Sequence, residues 1–391
     1  MRSLKADALT RIDAERDALE DLSRRIQARP ELGYQEFAAA DWLTTFLEQR
    51  GFAVQRGVAD MPTAFIASRP GAAAGPTLAF VAEYDALPGV GHGCGHNLIA
   101  SAAVGAAAGV AQVLPELAGN LRVIGAPAEE YTQGKAGKIR LLEEGAFAGV
   151  DACLMFHPWT TTRLARSNLA FISLDVTFRG RPAHAAADPW NGCNALDGVV
   201  LTYVGLSALR QQLKPDARLH CIITQGGDAA NIIPETAAAR IVMRSPDDAY
   251  VEQLRGKVEG CIHGAESAAG ATAHMAYLTH CQTLRFFPTF YDVVRANAQA
   301  LGAEMPLHPL AGGSTDFGNV SHALPGLHIY VKTHEPGTPW HSQAVAETAT
   351  SPLAHAGMLL AAKIMALSLL DLYTQPALLA QIKQEFAAPG P

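Results

Sequence analysis

The residues that can do chemistry crowd into one stretch, TLAFVAEYDALPGVGHGCGHNLIA, from Thr77 to Ala100. An apolar run at 78–82 delivers Glu83 and Asp85, and a glycine-rich turn then presents Cys94 and His96 ahead of an alanine-rich segment. A thiolate and an imidazole separated by one glycine can share a metal centre, and that donor pair suits zinc or another late first-row ion. Taken alone the pair is ambiguous, because Cys94 also reads as a small buried residue and His96 as a helix cap.

Three further positions carry the same kinds of side chain. Pro127-Ala128-Glu129-Glu130 follows a second apolar run with two adjacent carboxylates, and neighbours on an extended backbone point opposite ways. One can hold a metal while the other faces a substrate, although a lone Glu-Glu would be a solvated acidic loop. His157 ends a third apolar run, and His341 lies in Gly337-Thr338-Pro339-Trp340-His341-Ser342, ahead of a long apolar helix pattern. Each has an ordinary structural explanation by itself. Together, Cys, His and Glu at four separate strand ends or loops point to one metal centre.

The elements that must position these groups alternate in type. Apolar periodicity predicts helices at 9–28 and 35–50, short strands at 52–58 and 63–68, a turn at 71–75 and the central strand at 78–82. Helix 97–113, strand 121–126, helix 136–144 and strand 152–156 follow. That is an α/β domain, a mainly parallel sheet flanked by helices, and such sheets build their sites outside the carboxyl ends of the strands. From Leu169 the texture changes to strand 169–178, helix 195–213, strands 219–224 and 236–243, helix 247–263 and strand 271–279. The order β-α-β-β-α-β predicts an inserted ferredoxin-like α+β domain. Helix 289–301, strand 327–332 and a long helix 346–370 resume the first texture. The expected organisation is a catalytic domain of residues 1–168 and 282–391 interrupted by a domain of residues 169–281, with a disordered Pro-Gly-Pro tail at 389–391.

Composition narrows the function. A net charge of −7 and a pI near 6.0 argue against nucleic acid as a partner. No run of about 18 uninterrupted apolar residues reads as a membrane span, and the charged opening MRSLKADALTRIDAERDALE lacks an apolar core, so a cytoplasmic protein is expected. Six scattered cysteines without a C-x-x-C pair read as reduced thiols.

The motifs PELGYQEF (30–37), EYDALPG (83–89), GCGHN (93–97), PAEE (127–130), GRPAHAA (180–186), NIIP (231–234), GGSTD (312–316) and WHS (340–342) resemble, in order, those of metallopeptidase family twenty. This is the aminoacylase, carboxypeptidase and dipeptidase superfamily. The resemblance is to its Cys-Gly-His amidohydrolase branch, with p-aminobenzoyl-glutamate hydrolase, auxin-conjugate amidohydrolases and β-alanyl-lysine dipeptidase. It implies a di-zinc peptidase-like catalytic domain and an inserted lid that makes a homodimer. Cys94, His96, Glu130, His157 and His341 match ligands of two divalent metal ions, zinc first and manganese or cobalt as alternatives. Glu129 matches the general base, and Asp85 the carboxylate that supports the site. His184 resembles the lid histidine that stabilises the oxyanion, in several relatives from across a dimer. Asn231 is a further donor near the reacting group. Arg244 resembles the lid arginine that holds a substrate carboxylate, a task that suits a guanidinium fork. Backbone N–H groups of Gly312, Gly313 and Ser314 add an anion-binding turn. Many members place a metal-binding histidine where this chain has Glu83.

The implied activity is metal-dependent hydrolysis of the amide bond of an N-acyl or N-aroyl amino acid or a dipeptide with a free carboxylate. Hydrolytic deamination of an aromatic amine at the same centre is an alternative, as is a non-catalytic partner subunit of a two-chain hydrolase. No G-x-S-x-G elbow supports a serine hydrolase. His92, His322, His328 and His334 read as structural or solvated.

Overall fold

A computed structural model describes residues 3–131 and 133–388; the tail at 389–391 lies outside them. Eight strands form the larger sheet, in the order Ala53–Arg56, Phe65–Pro70, Ala118–Ala126, Ala73–Glu83, Ala152–Trp159, Gly326–Lys332, Arg163–Ala165 and Leu307–His308. The four long strands in the middle run parallel. Their sequences are near-continuous apolar runs because helices cover both faces of the sheet. From Ala73–Glu83 the chain crosses first to Ala118–Ala126 on one side and then back to Ala152–Trp159 on the other. The order therefore reverses beside Glu83, the position where such sheets open a crevice.

Two long apolar helices, His96–Val113 and Pro352–Thr374, are buried along most of their length. By length and composition both would cross a membrane, yet 89% and 78% of their most apolar windows are buried inside the protein. They are core helices, and the run of Ala and Gly in the first lets neighbouring helices approach closely. The predicted helix at 9–28 is two, Leu4–Ala14 and Arg16–Ala28, joined at Glu15, whose carboxylate takes both Arg11 and Arg50. The predicted helix at 346–370 is also two, Gln343–Thr348 and Pro352–Thr374. Ser351 accepts the Ala354 N–H and Pro352 opens the new first turn, a start signal inside an apparently continuous pattern. The turn expected at 71–75 is shorter, since the central strand already begins at Ala73 and slips register before Thr77. A further helix, Pro376–Ala387, follows beyond the predicted elements.

The second sheet has the order Thr272–Cys281, Ala170–Arg179, Thr236–Ser245, Arg218–Gln225, with every pair antiparallel. Helices Ala195–Leu209 and Asp248–Ala269 pack against it around a separate apolar core. In chain order the strands lie 4-1-3-2, the ferredoxin-like arrangement. Phe178 is fully buried in that core, and a Cβ on Gly198 would lie 2.4 Å from its ring, so the helix rests directly on the aromatic face. Phe178→Ala is expected to cost about 3–5 kcal/mol, read as a lower denaturant midpoint for unfolding.

Candidate metal centre

The central strand ends in Glu83-Tyr84-Asp85, all buried, and the chain then turns through Gly91 and Gly95, both at positive φ. At Gly95 a Cβ would also stand 2.8 Å from Pro158 Cγ, so only glycine lets the turn close onto the strand that carries His157. The result is a Cys94 Sγ to His157 Nε2 distance of 3.4 Å. His157 Nδ1 lies 2.8 Å from the Pro158 carbonyl oxygen, which can only accept, so Nδ1 carries the proton and Nε2 presents its lone pair. His96 is oriented in the same way by Asp85, whose Oδ1 lies 3.0 Å from Nδ1, while Asp85 Oδ2 accepts the Glu130 N–H at 2.9 Å.

His96 Nε2 is buried without a hydrogen-bond partner, 3.6 Å from Glu83 Oε2 and 4.0 Å from Glu129 Oε2. Glu130 Oε1 is likewise buried without a hydrogen bond, although His341 Nε2 approaches to 3.1 Å. The ligand atoms of Cys94, His96 and His157 lie within 4.8 Å of one another, and so do those of Cys94, Glu130 and His341. Cys94 sulfur is common to both sets. Orphaned imidazole and carboxylate atoms around a shared sulfur are donors without an acceptor, and divalent metal fits them.

Glu129 stands beside these sets. Burial, with repulsion from Glu83, Glu130 and Asp316, holds its carboxyl well above the ordinary range, while Lys138 pulls the other way. Lys138 escaped the sequence reading. Its side chain is fully buried and its ammonium pairs with Glu83 and, at 2.5 Å, with Asp316. His328, read as structural or solvated, is a buried wall of the cavity with neither ring nitrogen bonded. Burial pushes it down to about 3, so it is neutral.

A cavity of about 400 Å³ opens over the centre and reaches into the second sheet. Arg244 lines it, donates to Ser314 Oγ at 2.7 Å and lies over the Phe171 ring, with Gly312 and Gly313 alongside. His184 and Asn231 are not brought there. They neighbour each other at an exposed edge, where His184 Nδ1 accepts the N–H groups of Ala186 and Ala187 and the Asn231 carbonyl accepts that of Ala185.

The profile of Peptidase family M20/M25/M40 matches residues 79–363. The chain belongs to this family. It is 39% identical to the Xaa-Arg dipeptidase of Mus musculus over 98% of this chain and 92% of that one. It is 30% identical to one of the subunits of p-aminobenzoyl-glutamate hydrolase from Escherichia coli K12, over 96% and 93%. A dinuclear metal-binding peptidase of the M20 family from Bacillus subtilis has the same fold, with TM-score 0.65 and 21% identity over 89% of this chain and 98% of that one. As an M20 member the protein is an enzyme, a metal-dependent hydrolase of the amidohydrolase and peptidase type.

The loop that carries Glu129 and Glu130 is held by groups outside the donor sets. Ala128 adopts φ 59, and its N–H donates to Glu36 Oε1 at 2.8 Å. A Cβ on Gly137 would fall 1.8 Å from the Pro127 carbonyl oxygen. Gly137→Ala must therefore displace the loop, and is expected to destabilise the fold by about 1–3 kcal/mol and weaken metal binding, measured by denaturation and chelator competition. Burial, with Asp85 nearby, raises Glu36 from 4.5 to about 7. The folded state then keeps a proton that the unfolded chain has released, so stability falls as pH rises from about 4.5 to about 7 and levels off above. Glu36→Gln is expected to flatten that slope in denaturant midpoints taken across the window.

Proposed function

We propose that this enzyme cleaves the amide bond of a dipeptide, or of an N-acyl or N-aroyl amino acid, whose amino-acid half keeps a free carboxylate. The observation that carries the reading is one cavity with the shared Cys94 sulfur and Glu129 at one part and the Arg244–Ser314 pair at another. Cys94, His96 and His157 would hold one divalent ion, and Cys94, Glu130 and His341 the other. Thiolate and imidazole donors favour zinc, with manganese or cobalt as substitutes. Two bound ions supply the Lewis acidity that acidifies a water and polarises a carbonyl.

The chain's own residues do the rest. An amide has a weakly electrophilic carbon and a poor leaving group, so it needs a base for the water and an acid for the nitrogen. Glu129 serves as both, taking the water proton and passing it to the departing amine. Asp85 keeps His96 in one tautomer and one orientation. Arg244, with Ser314 and the Gly313 backbone, receives the carboxylate, so the scissile bond is placed by an anchor remote from it.

His184 and Asn231 reach the reacting group from a second copy. Support comes from their exposure away from their own cavity and from the outward Val200, Leu201 and Val204 of one helix beside the edge strand's Ile222 and Ile223, an apolar face of the kind two copies bury together. The Xaa-Arg dipeptidase relative favours a dipeptide over other amides. Six free cysteines suit a reducing, cytoplasmic setting.

The test is hydrolysis of dipeptides, p-aminobenzoyl-glutamate, indole-3-acetyl-aspartate and N-acetyl amino acids by protein stripped of metal and reloaded with zinc, manganese or cobalt. Metal-restored cleavage of one class is expected. Two bound metals with no amide cut would leave aromatic deamination or a partner-subunit role instead. Glu129→Ala should retain both metals while turnover falls by about 10²–10⁴, whereas Cys94→Ala should lose metal as measured by elemental analysis. Arg244→Ala should raise KM for carboxylate-bearing substrates far more than it lowers kcat.

A further inference from the structure

We propose that Trp340 is a positioning residue of the metal centre, its indole N–H fixing the shared Cys94 sulfur between the two donor sets. The inference rests on the assignment of Cys94 as a ligand. Trp340 Nε1 donates to Cys94 Sγ at 3.3 Å. Indole nitrogen is a donor and never a ligand. This contact would therefore be kept beside a bound ion, whereas His157 Nε2, which also faces the sulfur, would serve as a ligand.

The ring is held where it can do this. It lies 4.6 Å from Trp159, which ends the strand bearing His157, and packs edge-on against His334 at 5.3 Å. His334 is buried, with its Nδ1 2.8 Å from Thr333 Oγ1 and its Nε2 3.3 Å from the Val345 carbonyl. On the other side, the His341 N–H donates to the Gly93 carbonyl at 3.1 Å, so the loops carrying Cys94 and His341 run together. Trp340 thus joins the side chains of both ligand loops at the sulfur itself. A hydrogen bond to a thiolate is charge-assisted and directional, and partners that orient a ligand in this way change metal affinity about 10–100-fold when removed. A tryptophan that served only as cavity wall would owe nothing to its N–H.

Trp340→Phe keeps an aromatic ring and deletes the donor. In the cobalt-loaded native protein a sulfur-to-cobalt charge-transfer band is expected; if it is absent, Cys94 is not a ligand and the inference falls with that assignment. With the band present, Trp340→Phe should move it to lower energy, because the sulfur electrons lose a stabilising proton, and should speed metal loss to a chelator about tenfold. An unchanged band and an unchanged rate in folded Trp340→Phe would overturn the proposal. If that variant does not fold, native protein with nitrogen-labelled indoles and cadmium in place of zinc decides: one of the four tryptophan indole protons should couple to cadmium through N–H···S. No coupled indole signal would equally overturn it.

Discussion

The centre depends on holding like charges together away from water. Glu83, Asp85, Glu129, Glu130 and Asp316 converge on one sheet edge beside the Cys94 thiol, and burial drives the thiol up as it does Glu129. Taking each charge out of water costs several kcal/mol, and carboxylates this close cannot all ionise unless cations stand among them. Lys138 supplies an internal cation for Glu83 and Asp316, and Asp85 receives the His96 ring and a backbone N–H. Glu130, Cys94 and the free imidazole nitrogens are left facing one another. Such an arrangement is completed by divalent ions, and Glu129 beside them is left able to exchange a proton.

That convergence is enforced by backbone as much as by side chains. Ala128, which precedes Glu129, and His341, which faces Glu130, both take left-handed φ values, 59 and 56, which a non-glycine residue adopts at a cost. Neither is left to relax. Glu36 and the close approach at Gly137 hold the first loop, and the Gly93 carbonyl holds the second. The PELGYQEF segment, which bears no donor atom of the centre, thereby acts on it through the Glu36 carboxylate.

The sequence was most legible where chemistry and period coincide. Apolar runs ending in Asp85, Glu130 and His157 located the parallel strands and their common edge, because a strand buried on both faces must be apolar throughout and can only turn polar where it ends. The alternating order from 170 to 281 was equally readable. Lys138 was not, since GKIRLLEE reads as an ordinary helical surface and nothing local distinguishes a lysine that a distant aspartate and glutamate draw inside. His184 and Asn231 carry legible motifs, but the distance of their exposed edge from the cavity depends on how two sheets are set against each other, which no local pattern encodes. The boundary at Ser351-Pro352 lies inside a long apolar stripe that reads as one helix, although Ser before Pro is a cap signal.

At Glu83 a neutral imidazole would leave the buried Lys138 ammonium with Asp316 alone. Here Glu83 Oε1 is taken by Lys138, and only Oε2 turns toward His96 Nε2, at 3.6 Å. The carboxylate is therefore tied to an internal cation on one side, which lowers its effective charge toward His96 on the other. Loss of Lys138 leaves both Glu83 and Asp316 without their cation in the most buried part of the sheet edge.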